Sequence, residues 1–386
     1  MMATLDTVHI VAENIEKFSS LFYKILAESK DENLICSPLS VSVLLSMLTY
    51  GARGATGELL KAVLHFTDDD TTNKNSYQTL IDFFNAIETV QLKLANRIYV
   101  GNDVIIEHDY QQLTETYFRS TIGNVNFHNK EEACAIINCW CEEKTNNRIK
   151  NAIRPENIAH DMKMVMVNAI YFKGNWKNKF NALNTTPKAF HIDSTHSKRV
   201  PMMRKTGRYK FSIISEINAR CIELPYESNS EKNAMSMYVF LPDKADGLKI
   251  LENKFDEMNI VRLHDQRGFH TDVNLELPKF TIHSTMSLGA TLGAMGLSDI
   301  FINGANFRGI STTELKVSEV IQKAFIEVNE EGSEAAAVTF TSMCFGSSAP
   351  APPPISFVVD RPFFCAIVAK YTGTKLFCTR VTDPTI

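Results

Sequence analysis

The chain has 386 residues, 44% hydrophobic and 22% charged, the balance of an ordinary globular protein, which excludes disordered, collagenous and coiled-coil classes. Lys+Arg (40) nearly offsets Asp+Glu (44), giving a net charge of −4 and no basic excess that would suggest a nucleic-acid partner. At about 150 residues per domain the length alone allows two or three domains, and it is ample for a core that needs neither disulfide nor metal.

The first residues, MMATLDTVHIVAENIEKFSS, carry neither a basic n-region nor a sustained apolar h-region. As written, the expected location is cytoplasmic; a secreted, extracellular protein stays open if a leader has been removed. No apolar run approaches the roughly 18 residues of a membrane span, so no membrane partner is expected. Ile15, Phe18, Phe22 and Ile25 recur at helical spacing, and Ser37-Pro38 is a helix-start signal for a stretch reaching Tyr50. Gly51-Ala-Arg-Gly54 stops that helix, and Thr56 with Leu59, Leu60 and Val63 starts the next. Asp68-Asp69-Asp70 reads as an acidic loop. Later segments read as strands: Val165 to Phe172, Ala234 to Leu241, Val273 to Leu277, and Phe357 to Lys370. Helices first and then many strands, without regular βα alternation, give an α+β class.

One stretch breaks the average. From Gly332 to Pro354 the chain reads GSEAAAVTFTSMCFGSSAPAPPP, almost wholly small, uncharged or proline. It is not an interdomain linker, because the few residues after it read as core strands. A long loop inside a compact domain is uncommon and usually functional.

Enzyme chemistry is missing. There is no G-x-S-x-G elbow, Walker loop, H-E-x-x-H or G-x-G-x-x-G. Cys139-Trp140-Cys141 lacks a second close Cys/His pair and reads as thiols packed on a helix, so no metal and no cofactor are expected. The eight cysteines are too sparse for a disulfide scaffold, and the sequon Asn184-Thr185-Thr186 does not by itself decide for secretion.

The stretch around Val317 to Thr339, LKVSEVIQKAFIEVNEEGSEAAAVT, resembles the hinge of the serpin family. Other motifs of that family follow in order: NLICSPLSVSVLLSMLTYGARGATGELL, VNAIYFKGNWKNKF, LELPKF, LGAMGLSDIF with NFRGIS, and DRPFFCAIVAKYTGTKLFCTRVTDP. The resemblance covers about residues 10 to 384, is nearest in its hinge to invertebrate members, and implies a single serpin domain over 1-386. Its expected fold has three β-sheets, about nine helices and an exposed reactive-centre loop at about 330-356. A serpin is not an enzyme but a suicide substrate: the protease cuts the loop, the loop inserts into the large sheet as a strand, and the acyl-enzyme is trapped.

The loop's residues suit that fate. Alternate residues Ser333, Ala335, Ala337, Thr339, Thr341 and Met343 are uncharged, as a buried strand face requires, and Glu334, Ala336, Val338 and Phe340 take the other face. Gly332 would serve as the pivot. By resemblance the hinge is Glu330, Gly332, Ser333, Glu334, Ala335, Ala336 and Ala337. The breach, where insertion begins, is Trp176, Lys279 and Glu330, with Glu330 pairing to Lys279. The shutter, where helix and sheet part, is Ser37, Ser40, Asn168 and Gln322. The family often has His at the last position, so a titrating shutter is not expected here.

Counting from Glu330 in the family's manner puts the reactive bond at Gly346–Ser347, with Phe345–Gly346 as the alternative; counting back from Arg361-Pro362 gives a site a few residues later. No Arg or Lys lies between Gly332 and Asp360, which argues against a trypsin-like target. The expected partner is an elastase- or chymotrypsin-like serine protease in a covalent acyl complex, with a papain- or cathepsin-like cysteine protease as runner-up and a non-inhibitory storage or chaperone serpin behind both. Cys344, just before the reactive bond, is either a tolerated small residue or an oxidisable thiol. Thr67 to Lys93 is acidic or neutral, so heparin activation is not expected, and the inhibitor is expected to be monomeric.

Overall fold

The computed structural model describes residues 2–159, 161–332 and 352–385. The chain opens with α1 (Met2–Glu28), whose Val11, Ile15, Phe18 and Phe22 form a buried stripe. After β1 (Leu34–Cys36) comes α2 (Pro38–Gly51), started by Ser37, whose side chain accepts from the Ser40 amide, with Pro38 in the first turn. α2 is buried almost all round, which makes it the axle of the core. Next come α3 (Gly54–Val63) and α4 (Asp70–Asn85). Asp69 accepts from the Thr71 amide, so the acidic run is the start of a helix rather than a loop.

β2 (Val90–Gly101), α5 (His108–Phe118), β3 (Ile122–Val125), α6 (Lys130–Lys144) and β4 (Met164–Gly174) follow. Then come β5 (Thr186–His191), β6 (Ser197–Ile214), β7 (Ala219–Pro225), β8 (Met235–Pro242), α7 (Leu248–Glu252) and α8 (Ile260–Arg267). β9 (Phe269–Pro278), β10 (Phe280–Ser287), α9 (Gly289–Leu292), β11 (Glu319–Val328), β12 (Ile355–Val358), β13 (Phe363–Ala369) and β14 (Thr374–Val381) complete the described chain. The expected single run from Phe357 to Lys370 is two strands. Arg361-Pro362 breaks it, with Arg361 bonded to the Pro242 carbonyl and to Asp360.

The strands form a five-stranded sheet, β10-β11-β4-β2-β3, and a nine-stranded one, β1-β14-β13-β8-β7-β6-β9-β12 with β5 on β6. The 18-residue β6 joins two halves of the larger sheet, pairing β9 along most of its length and β7 at its end. The three expected sheets are these two halves plus the five-stranded sheet.

In the five-stranded sheet the residues alternate strictly between two cores. Met164, Met166, Ile170 and Phe172 of β4, and Val320, Ala324, Ile326 and Val328 of β11, join the main core around α2. Val165, Val167 and Ala169, with Ile321, turn to a second core under α6. In the centre, β11 and β4 run parallel, from Glu319↔Val165 to Phe325↔Tyr171. That ladder stops there, although β4 stays paired to β2 as far as Gly174 and β11 to β10 as far as Val328.

Candidate functional site

Two polar clusters lie on this central seam. The deeper one interrupts the apolar rows facing α2. Asn96, Asn168 and Gln322 occupy the same level of β2, β4 and β11, in register with one another. Gln322 donates to Asn168 Oδ1 at 2.7 Å and to the Ser37 carbonyl at 3.0 Å, and its Oε1 accepts from the Ser37 amide at 3.0 Å. Asn168 Nδ2 donates to Asn96 Oδ1 at 2.6 Å and to Ser40 Oγ. Ser37, Ser40, Asn168 and Gln322 are fully buried, so the amides satisfy groups that water cannot reach. The row ties the two halves of the sheet to each other and to the start of α2.

The second cluster stands where the ladder ends. Lys279, just after β9, pairs with Glu330 at 2.8 Å, and Thr185 Oγ1 donates to the other Glu330 oxygen at 2.8 Å. Burial would raise the Glu330 carboxyl, but these two bonds outweigh it and hold the group below the usual carboxylate range. The Phe180 amide donates to the Glu330 carbonyl at 2.8 Å and the Trp176 amide to the Glu331 carbonyl at 2.8 Å. The Trp176 indole donates to the Asn329 carbonyl at 2.9 Å and stacks on Tyr226, ring centres 4.6 Å apart. Gly332 has φ +114°, and a Cβ there would crowd the Gly174 carbonyl and lie 2.5 Å from the Trp176 amide nitrogen. Glycine is required at this turn.

On the opposite face of β11 from Gln322, the largely buried Lys323 reaches the carbonyls of Lys150 and Asn151, the latter at 3.0 Å. It fastens the connection after α6 to the central strand. Elsewhere, Glu223, His264 and Asp265 lie within 4.8 Å of one another. Lys370 already sits on both carboxylates at 3.1 and 3.0 Å and Lys210 on Asp265 at 3.1 Å, so the negative charge there is answered by ammonium groups.

The family model for Serpin (serine protease inhibitor) matches residues 13–384. The chain belongs to the serpin family. It is 33% identical over 369 residues to Antitrypsin of Bombyx mori, covering 95% of this chain and 93% of that relative. It is 34% identical over 377 residues to Antichymotrypsin-2 of the same organism, covering 97% and 98%. Among solved structures, Serpin48 of the insect Tenebrio molitor superposes with a TM-score of 0.86 at 29% identity, covering 97% of this chain and 98% of that one. The fold is thus the α+β serpin fold, and its family acts by inhibiting proteases rather than by catalysis.

For this serpin, the residues assigned by resemblance to the breach (Trp176, Lys279, Glu330) and to the shutter (Ser37, Ser40, Asn168, Gln322) stand in two contiguous groups on one seam. Of the hinge, Glu330 and Gly332 are placed; Ser333, Glu334, Ala335, Ala336 and Ala337 lie outside the described residues. So do Cys344, Phe345, Gly346 and Ser347. Cys139 faces solvent, whereas Cys141 is buried against the second core beside the mostly buried Trp140. Sequence reasoning missed Asn96 and Thr185. Asn96 had a signal, a lone amide in the alternating apolar row Leu92, Leu94, Ile98 and Val100; Thr185, on an exposed turn, had none.

Proposed function

We propose that this serpin is a suicide-substrate inhibitor of an elastase- or chymotrypsin-like serine protease, trapping the acyl-enzyme by inserting its cleaved loop between β4 and β11. The observation that carries the reading is the seam. A segment leaving β11 and doubling back enters where the parallel ladder has ended, and runs antiparallel to both flanking strands. One parallel ladder is then exchanged for two antiparallel ones, each more stable per residue. Small, uncharged residues at alternate positions from Ser333 onward favour the same step. The breach residues hold the loop's root at the entrance, and the shutter residues hold the seam shut until the cut. The reactive bond is Gly346–Ser347, or Phe345–Gly346, and the working form is a monomer of one serpin domain that needs no heparin.

The test is to mix the protein with elastase, with chymotrypsin and with a cathepsin-type cysteine protease, and to look for an SDS-stable adduct. An adduct with either serine protease, and a released C-terminal peptide whose mass begins at Ser347 or Gly346, is the expected result. Cleavage of the loop with no adduct and no rise in melting temperature would overturn the inhibitory reading. An adduct with the cysteine protease alone would overturn the assignment of target class.

A further inference from the structure

Two of the buried thiols face each other across a strand pair. β1, three residues long, closes one edge of the nine-stranded sheet and pairs with β14 alone, setting Leu34, Ile35 and Cys36 opposite Arg380, Thr379 and Cys378. Residues directly opposed in an antiparallel pair point to the same face, so Cys36 and Cys378 lie side by side in the main core, 0% and 2% exposed. Opposed Cα atoms stand about 4.5 or 5.5 Å apart, according to their place in the ladder, and both separations fall within the roughly 4.4–6.8 Å that a disulfide spans. Cys365 of β13, by contrast, is opposite Thr379, one residue out of phase with Cys378, so its thiol belongs to the other face of the sheet.

Burial holds both thiols above the ordinary value, with Cys378 pushed up to about 12, so neither is a nucleophile while the strands stay paired. A three-residue strand at a sheet edge costs little to release, and its release frees Cys36. The position has a mechanical meaning. Cys36 is followed directly by Ser37, whose amide and carbonyl both bond Gln322, and β1 packs against β10 and β11 of the other sheet. β1 therefore joins the two sheets at the level of the shutter. A covalent tie from Cys36 to β14 fixes the start of α2 to the larger sheet, where Asn168 must part from Gln322 if a strand is to enter the seam.

We propose that Cys36 and Cys378 are a disulfide-forming pair, open in a reducing medium and closed by exchange with a low-molecular-weight disulfide such as oxidised glutathione, and that the closed form grips the shutter more tightly. The Cys36 thiolate attacks one sulfur of the reagent and expels a glutathione thiolate; the Cys378 thiolate then attacks the Cys36 sulfur and expels the second. Two electrons pass from the cysteine pair to the reagent, and the two thiol protons end on the departing glutathiones. The cross-link stands on the strand register alone; its effect on trapping rests on the inhibitory reading above. The test incubates the whole native chain with oxidised glutathione, alkylates the remaining thiols in denaturant, and maps the unreduced peptides by mass spectrometry. A peptide joining Cys36 to Cys378, with Cys365 alkylated, is expected. The linked form should melt several degrees above the reduced one and return on treatment with dithiothreitol. Cys378→Ser, treated alike, should show no such rise, which separates the cross-link from glutathione added at the exposed Cys139. Cys36 and Cys378 recovered alkylated, or each carrying glutathione, or Cys378 joined to Cys365, overturns the pair; a linked form that melts with the reduced one overturns the tighter grip. For trapping, more inhibitor molecules should be consumed per protease captured by the linked form. An equal ratio overturns the effect on trapping, whereas absence of any adduct from the reduced form refutes the inhibitory reading and leaves the mapped cross-link standing.

Discussion

Replacing Asn168 by alanine tests the seam most directly. The substitution removes three side-chain hydrogen bonds at a fully buried position, taking the Asn168 donor from Ser40 Oγ and Asn96 Oδ1 and the acceptor from one N–H of Gln322 Nε2, whose other bond to the Ser37 carbonyl remains. At about 1–2 kcal/mol for each partner left unsatisfied, the uncut protein should lose about 3–6 kcal/mol, less whatever an entering water restores. In a protein of this size that lowers the melting temperature by several degrees. A strand inserted between β4 and β11 separates Asn168 from Gln322, so much of the network is absent once the loop has gone in. The assay is therefore a pair of melts, on uncut N168A and on N168A cleaved in its loop by a non-target protease, each against the parent. The uncut form should suffer clearly more than the cleaved form. Equal losses in the two forms, or no loss in the uncut one, would refute the idea that this row holds the seam shut.

Lys279→Gln should weaken the uncut protein modestly at neutral pH. Because the Glu330 carboxyl is held below its unfolded value, its contribution is present above about pH 4.5 and is lost as the pH falls through the lower folded value, so the variant's urea midpoint should fall less steeply under acid than the parent's. His264 works at milder pH. Burial, with Lys210 and Lys370 opposing Asp265, takes the imidazole down to about 4, so the unfolded chain takes up the proton first. Stability should decline by roughly 1.4 kcal/mol per pH unit between about 6.5 and 4, and His264→Gln, which can keep the bond to Ser212, should remove that slope; identical pH profiles would sink the assignment. Arg380 holds Glu252 through bonds of 2.8 and 2.5 Å, both residues being almost fully buried. Arg380→Met leaves that carboxylate unpaired and should cost about 3–5 kcal/mol by urea unfolding, with Arg380→Met, Glu252→Gln recovering part of it.

What was legible in the sequence was whatever announces itself locally. Ser37-Pro38 declares the start of α2 because capping is read over three residues, and β4 and β8 declare themselves because buried strands are continuous apolar runs. β6 did not: SKRVPMMRKTGRYKFSII carries basic residues along a strand with many exposed positions, and its length is set by β9 and β7, which arrive later in the chain. The site divides similarly. Nothing local pairs Glu330 with Lys279 or Gln322 with Ser37; resemblance supplied those groupings, and it is the pairing of β10 with β11, Phe280 opposite Val328, that brings Lys279 beside Glu330, and the packing of the start of α2 on β11 that brings Ser37 to Gln322. Thr185 illustrates the remainder, a residue whose partner 145 positions away is fixed by how two turns approach.

The Lys323 ammonium group, seated on the Lys150 and Asn151 carbonyls, bears on time rather than on stability. Admitting a strand as proposed would displace β4 from β11 by about 4.8 Å, more than a 3.0 Å hydrogen bond can stretch, so these bonds break when the α6–β4 connection moves with β4. A bond broken on the way to the summit raises the barrier whatever the destination is worth. On the proposed mechanism, the race between a captured protease and its own deacylation would be set partly by one lysine lying on the far side of the sheet from the shutter.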